Sequence, residues 1–183
     1  MIRSDKNFWA LALALGLVMF VTRVGHFGEY GGPPDASWAV FLLAGLWLRD
    51  ARLFPAFVAL GWGADVVASA LGTPNLAFSP AYLFLLPAYG ALWMAGHWVA
   101  RRAEGQLART VIAVPVAALV AFVVANLGMY LLAPSPTATG LADFAAQVSG
   151  WFPGYLLTMA TYVSVGLLGA TLWSLRRADL ASR

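Results

Sequence analysis

Thr110-Val-Ile-Ala-Val-Pro-Val-Ala-Ala-Leu-Val-Ala-Phe-Val-Val-Ala-Asn-Leu-Gly-Met-Tyr-Leu-Leu132 contains no charged residue. A helix needs about 20 such residues to cross the hydrocarbon core of a bilayer, so this one stretch is long enough to span it. Working outward, apolar runs also occupy Phe8–Val24, Ser37–Leu48, Leu53–Leu71 and Ala81–Ala100 before it and Trp151–Leu175 after it, separated by charged or Gly/Pro-containing breaks. Phe8–Val24 is at the short limit for a span. Ser37–Leu48 is shorter still, in the range where a re-entrant or buried segment competes with a crossing one. The chain has 183 residues, of which 61% are hydrophobic and 10% charged, against roughly 25% charged in a soluble domain. The expected fold is all-α: a single integral membrane domain over residues 1–183, built as a compact bundle of six transmembrane helices, with no room for a separate soluble domain.

The basic residues give the topology. The net charge of +3 could suggest a nucleic-acid partner, but the arginines lie in small clusters between apolar runs rather than along one stripe, which excludes nucleic acid. With six spans and both termini cytoplasmic, Arg23 alone of the 11 Lys and Arg residues falls outside. If Ser37–Leu48 does not span, a five-span arrangement with the N-terminus outside places Arg3 and Lys6 there instead, so charge barely separates the two. Both arrangements direct Gly72–Pro80 and Ala133–Gly150 outward, and neither loop has a Lys or Arg. Trp9, Trp47, Trp98, Trp151 and Trp173 fall near segment ends, where interfacial anchoring puts tryptophan. The first apolar run follows Arg3 and Lys6 as a signal peptide's would, yet Val24-Gly25-His26-Phe27 is no small-residue cleavage site, so the segment is read as a mature helix. Cysteine is absent, which excludes disulfides, thiolate metal sites and cysteine nucleophiles.

Asp65 is the most informative single residue, because a carboxylate within a spanning helix costs several kcal/mol unless it faces a cavity or a partner. Two readings stand side by side: Asp65 lines a pocket, or it makes a structural ion pair with a group such as Arg23. Trp62, Asp65 and Ser69 share a helical face by spacing. Tyr82, Leu86, Tyr89 and Trp93 form a stripe on the fourth segment, Asn126 and Tyr130 lie one turn apart on the fifth, and Trp151, Tyr155, Thr158 and Tyr162 form a stripe on the sixth. Together these side chains offer hydrogen-bonding aromatics in the outer half of the bundle, as a large, partly apolar ligand requires. Asp65, Tyr82, Tyr89, Asn126, Tyr130, Trp151 and Tyr155 are therefore the candidate ligand-binding residues. Taken singly, each stripe is more simply an aromatic belt or ordinary packing.

His26 opens a Gly/Pro-containing loop that runs to Asp35. One histidine without a nearby second ligand is more often a hydrogen-bonding loop residue than a metal ligand. His97 reads as an interfacial residue. Ala10, Ala12, Ala14 and Gly16 form small-residue pairs at i+4, a spacing that lets another helix approach, and Ala10 and Ala14 are candidates for docking a partner. No Gly-rich phosphate loop, paired-histidine motif or nucleophile elbow is present, so no catalytic residue and no resident metal or cofactor is expected.

Two stretches carry a resemblance to a known family: Asp35-Ala-Ser-Trp-Ala-Val-Phe-Leu-Leu-Ala-Gly-Leu-Trp-Leu-Arg49 and Phe78-Ser-Pro-Ala-Tyr-Leu-Phe-Leu-Leu-Pro-Ala-Tyr-Gly-Ala-Leu-Trp93. They look like the BtuM-type cobalamin transporters, which are similar in architecture to the S-components of energy-coupling-factor (ECF) vitamin transporters. The resemblance implies a six-helix protein of the bacterial inner membrane that captures cobalamin at the outer face and delivers it to the cytoplasm. In some members it does so without a dedicated ATPase module; in others an ECF coupling protein and ATPases are partners. It also implies a cysteine that coordinates cobalt and supports removal of cyanide from cyanocobalamin. This chain departs from the family there. Ala77 stands at the matching position, with Ser79 as the alternative placement, and His26 or Met129 would be the substitute ligands. Thiolate ligation and thiolate-assisted decyanation therefore do not carry over, and the expectation is a transporter rather than an enzyme, with cobalamin as bound substrate. The rival expectations are an S-component for another vitamin, such as a flavin, thiamine or biotin, a membrane sensor or interaction domain in which the aromatics only pack, and a membrane-embedded enzyme with Asp65 as its one evident acid or base.

Overall fold

A computed structural model describes residues 5–26, 32–72, 79–101, 104–132 and 140–181. Among these the chain is all-helical: α1 (Asp5–His26), α2 (Ser37–Trp47), α3 (Leu53–Ala70), a 3-10 turn (Pro80–Phe84) continuing into α4 (Leu85–Val99), α5 (Gln106–Leu132), α6 (Leu141–Ser149) and α7 (Phe152–Ala181). Four helices, α1, α3, α5 and α7, are long and apolar enough to cross a membrane. α2, with 11 residues, rises only about 16 Å.

Prolines mark the helix starts. Pro55, Pro87 and Pro153 fall in the first turns of α3, α4 and α7, where a backbone N–H has no intrahelical partner to lose. Pro115 sits inside α5 without ending it, as apolar spanning helices tolerate. Gly72 and Gly105 turn the chain with positive φ of 101° and 65°, a region open to glycine. Arg49 does the same after α2 at φ 55°, where an ordinary side chain is strained.

The direction of each helix follows from its end contacts. Near the end of α1, Arg23 bonds Asp35 and Ser37 at the start of α2, Asp65 towards the end of α3, and Tyr82 in the 3-10 turn. At the opposite end, Arg49 beyond α2 donates to the Ala100 carbonyl beyond α4, and Arg109 at the start of α5 donates to the Val99 carbonyl. α2 therefore runs back antiparallel to α1, and α1, α2, α3, α4, α5 and α7 alternate in direction. Lys6, Arg49, Arg52, Arg101, Arg109 and Arg176 gather at one end, with Arg23 at the other.

α2 is the core. Ser37 and every residue from Ala39 to Leu46 are buried, as expected of a helix apolar on all sides. Its tightest neighbour is α4. A methyl group on Gly45 would run into the Trp93 carbonyl, and one on Gly96 into the Leu42 carbonyl, so the two backbones approach as closely as glycine allows. Phe41 stacks on Tyr89 at 4.2 Å and meets Phe54 and Phe57 edge-on. Gly128 of α5 receives the Phe84 ring, and Gly166 of α7 receives Leu43 and Trp47.

The segment Ala133–Gly150, expected as an outward loop, contains α6. This helix is amphipathic: Val148 is buried, and Phe144 packs on Tyr130 with ring centroids 5.3 Å apart. The fourth segment begins as a 3-10 turn rather than an α-helix at Ala81. α1, α5 and α7 extend beyond the apolar runs because their flanking polar residues continue the helices.

Candidate functional site

Four elements converge on Arg23, which is buried. Its Nε and Nη2 donate to the two oxygens of Asp65, both at 2.7 Å, forming a bidentate pair. Nη2 also donates to the Tyr82 hydroxyl at 2.8 Å. Nη1 faces Tyr89 Oη at 2.8 Å, Asp35 Oδ2 at 3.0 Å and Ser37 Oγ at 3.1 Å. A guanidinium has five N–H donors in a fixed fork, and these acceptors engage all five. Of the two readings of Asp65, the pairing with Arg23 is the one observed. Tyr82 and Tyr89 are drawn to the same guanidinium, so three candidate ligand-binding residues meet at one point.

The segment Pro34–Trp38 is held residue by residue. The Pro34 carbonyl accepts from Tyr162 Oη at 2.9 Å, and Asp35 takes the bond from Arg23. The Ala36 N–H donates to Thr22 Oγ1 at 3.1 Å. Ser37 donates to Asp35 Oδ1 through its N–H and its hydroxyl, at 2.9 and 2.6 Å. Trp38 stacks on Tyr155 at 4.9 Å. Helices from both ends of the chain thus clasp the entry to α2.

The other candidates lie apart from Arg23. Asn126 turns back on its own helix, donating to the Phe122 carbonyl at 2.8 Å. Tyr130 packs on α6, Tyr155 also meets the Phe122 ring at 5.9 Å, and Trp151 is exposed. Ser79 accepts from the Ala81 N–H at 3.3 Å and caps the 3-10 turn. Ala77 lies outside the described residues. His26 is the last residue of α1, but its side chain and the loop expected to follow it, through residue 31, also lie outside them. Of the small-residue pairs on α1, Ala12 and Gly16 face inward, the latter against Leu60, whereas Ala10 and Ala14 are exposed.

A groove of about 460 Å³ opens between α3 and α4, lined by Val58, Trp62, Ser79, Tyr82, Leu86 and Tyr89 among others. Trp62 and Leu86 are exposed on its rim, so the groove opens sideways. The face shared by Trp62 and Asp65 in the spacing is divided: Asp65 turns in to Arg23 and Trp62 turns out. Arg23 is the residue that sequence reasoning undervalued, as a topology marker and one possible partner. Its signal was a lone arginine near the end of an apolar helix, expected in the same half of the bundle as Asp65. Among the described residues, every buried side-chain nitrogen and oxygen has a hydrogen-bond partner. No family model matches this chain, and no curated protein matches it.

Proposed function

We propose that this chain is a multi-pass membrane protein that captures a vitamin, cobalamin foremost, at the Arg23 end of its bundle and passes it across the membrane. The observation that carries this reading is the packing of α2 on α4. The two stretches that resemble the cobalamin transporters, Asp35–Arg49 and Phe78–Trp93, supply these two helices, which touch at Gly45, Gly96 and the Phe41–Tyr89 stack. Tyr82, Tyr89 and Asp65 gather beside the entry to α2, with Tyr155 stacked on Trp38 at its edge.

In this reading all six alternating helices cross the bilayer. The 3-10 turn and α4 together rise about 32 Å, close to the roughly 30 Å hydrocarbon thickness. α2 completes its crossing with the non-helical residues 32–36 and 48–50. The arginine-rich end is cytoplasmic, with both termini, in a bacterial inner membrane. Ala10 and Ala14, exposed on α1, are the docking face for a coupling protein if an ATPase module is used.

A second reading, a membrane sensor or interaction domain, is favoured by the saturation of Arg23: its donors and both Asp65 oxygens are already bonded within the protein. The test is the visible spectrum of detergent-purified protein incubated with cobinamide or cobalamin and then freed of unbound ligand. A retained corrinoid spectrum at near-stoichiometric level supports uptake of cobalamin. No retained corrinoid, with stabilisation by a flavin, thiamine or biotin, moves the reading to another vitamin. No stabilisation by any vitamin overturns it in favour of the sensor.

A further inference from the structure

A second groove, of about 300 Å³, runs between α4 and α5 and is lined by Ala91, Ala95, Trp98, Ile112, Val116 and Val120, with Ala113 and Ala117 at its floor. All of these side chains are apolar apart from the indole N–H. Ala91, Ala95 and Trp98 form one stripe of α4 at i, i+4 and i+7, and Ile112, Val116 and Val120 form one stripe of α5 at i, i+4 and i+8. The alanines leave the room: wherever α4 and α5 would otherwise be bridged by larger side chains, a channel about 12 Å long remains.

Both stripes end on positive charge at the same end. One turn beyond Trp98 comes Arg101, whose side chain is exposed, and one turn before Ile112 comes Arg109. Arg109 Nε donates to the Val99 carbonyl at 3.3 Å, and Arg49 donates to the Ala100 carbonyl. Two guanidinium groups therefore hold carbonyls at the C-terminus of α4, and the exposed Arg101 follows directly in the chain, with Glu104 before α5. An apolar channel capped at one mouth by arginines has the polarity of an anionic amphiphile.

We propose that this groove is a binding site for an anionic phospholipid, with one acyl chain along the α4–α5 channel and the phosphate among Arg101, Arg109 and Arg49. Charge complementarity selects the occupant. A zwitterionic lipid fills the channel equally well but gains less at its mouth, because arginine recognises phosphate most strongly where no neighbouring ammonium competes. Trp98, half-exposed at the boundary between channel and charge, fits the depth of the glycerol region. The inference rests on the membrane reading of the chain but not on the identity of any vitamin.

The experiment is native mass spectrometry of detergent-purified protein offered equal amounts of phosphatidylglycerol and phosphatidylcholine. The expected result is preferential retention of phosphatidylglycerol, by about fivefold or more, one lipid per chain. Arg101→Gln, at an exposed position, should reduce that preference at least threefold. Ala95→Phe, which fills the channel, should reduce retention of both lipids. Arg52→Gln, exposed and off the groove, should leave retention unchanged. Equal retention of the two lipids, or a preference that survives both Arg101→Gln and Ala95→Phe, overturns the site. Protein that stays monodisperse without detergent and retains no lipid overturns it together with the membrane reading.

Discussion

Arg23 and Asp65 meet as a two-pronged ion pair, Nε to Oδ1 and Nη2 to Oδ2, each at 2.7 Å, between helices whose residues are 42 positions apart in the chain. Removing one partner of a buried pair leaves an uncompensated charge and costs about 3–5 kcal/mol. Arg23→Met, which strands Asp65 and Asp35 together, should therefore lower the melting temperature of the detergent-solubilised protein sharply, and Asp65→Ala, which leaves Arg23 its pair with Asp35, should lower it by less. The double variant Arg23→Met with Asp65→Leu should recover only part of the loss, because Asp35, Tyr82 and Tyr89 still lose their donor. A single variant that melts like the parent would remove the pair from the list of what holds the bundle together.

The close approach of α2 and α4 gives a second expectation. Gly96→Val and Gly45→Val push a side chain into a backbone carbonyl, which neither helix can yield to cheaply; overpacking of this kind costs about 1–3 kcal/mol or more. Gly90→Ala and Gly154→Ala meet nothing within 4 Å and should be neutral or slightly stabilising. Thermal unfolding followed by size-exclusion chromatography separates the two pairs.

Arg49 combines backbone strain with a tether. Its φ of 55° favours glycine, while its guanidinium holds the Ala100 carbonyl. Arg49→Ala loses the tether and keeps the strain, whereas Arg49→Gly loses the tether and relieves the strain. The alanine variant should be the less stable by about 1 kcal/mol. The reverse order in a denaturation series would show that the turn is not strained.

Trp151 and Tyr155 separate ligand binding from packing. Trp151 is 59% exposed, so Trp151→Ala should change stability by no more than about 0.5 kcal/mol. Tyr155→Ala removes the stack on Trp38 and should cost about 0.5–1.5 kcal/mol beyond its lost contact area. If these rings cover a corrinoid, both variants should lower its retention at least tenfold. Unchanged retention in both would restrict the rings to packing and lipid contact.

Much of the architecture was legible in the sequence because apolar length is a one-dimensional signal. The segments at Leu53, Thr110 and Trp151 start within a few residues of α3, α5 and α7, and the short run Ser37–Leu48, where length leaves crossing and buried placements in competition, forms the buried helix α2. α6 was missed because Leu141-Ala-Asp-Phe-Ala-Ala-Gln-Val-Ser149 is too short and too polar for a search for spans, its period visible only once Phe144 and Val148 are seen to share a face. The Asp65–Arg23 pair was legible as one of two options. Convergence of Tyr82, Tyr89, Asp35 and Ser37 on the same guanidinium was not, because it depends on how four elements meet. Asn126 looked free to bind a ligand, but nothing in its sequence neighbourhood distinguished that from the bond it makes to the carbonyl one turn back.

The hydrogen bond from Tyr162 to the Pro34 carbonyl joins residues 128 positions apart, and it bears on how the protein is made. Pro34 is synthesised well before Tyr162, and its carbonyl waits through 128 further residues before its partner arrives. Contacts this distant in sequence form late, because the intervening chain must be ordered first. α1, α2, α3 and α4 can therefore pair through Arg23 while the entry to α2 is still open on the side that α7 will cover. Docking of α7 then closes the entry to α2, and a chain stopped before Tyr162 would lack the bond that holds the Pro34 carbonyl.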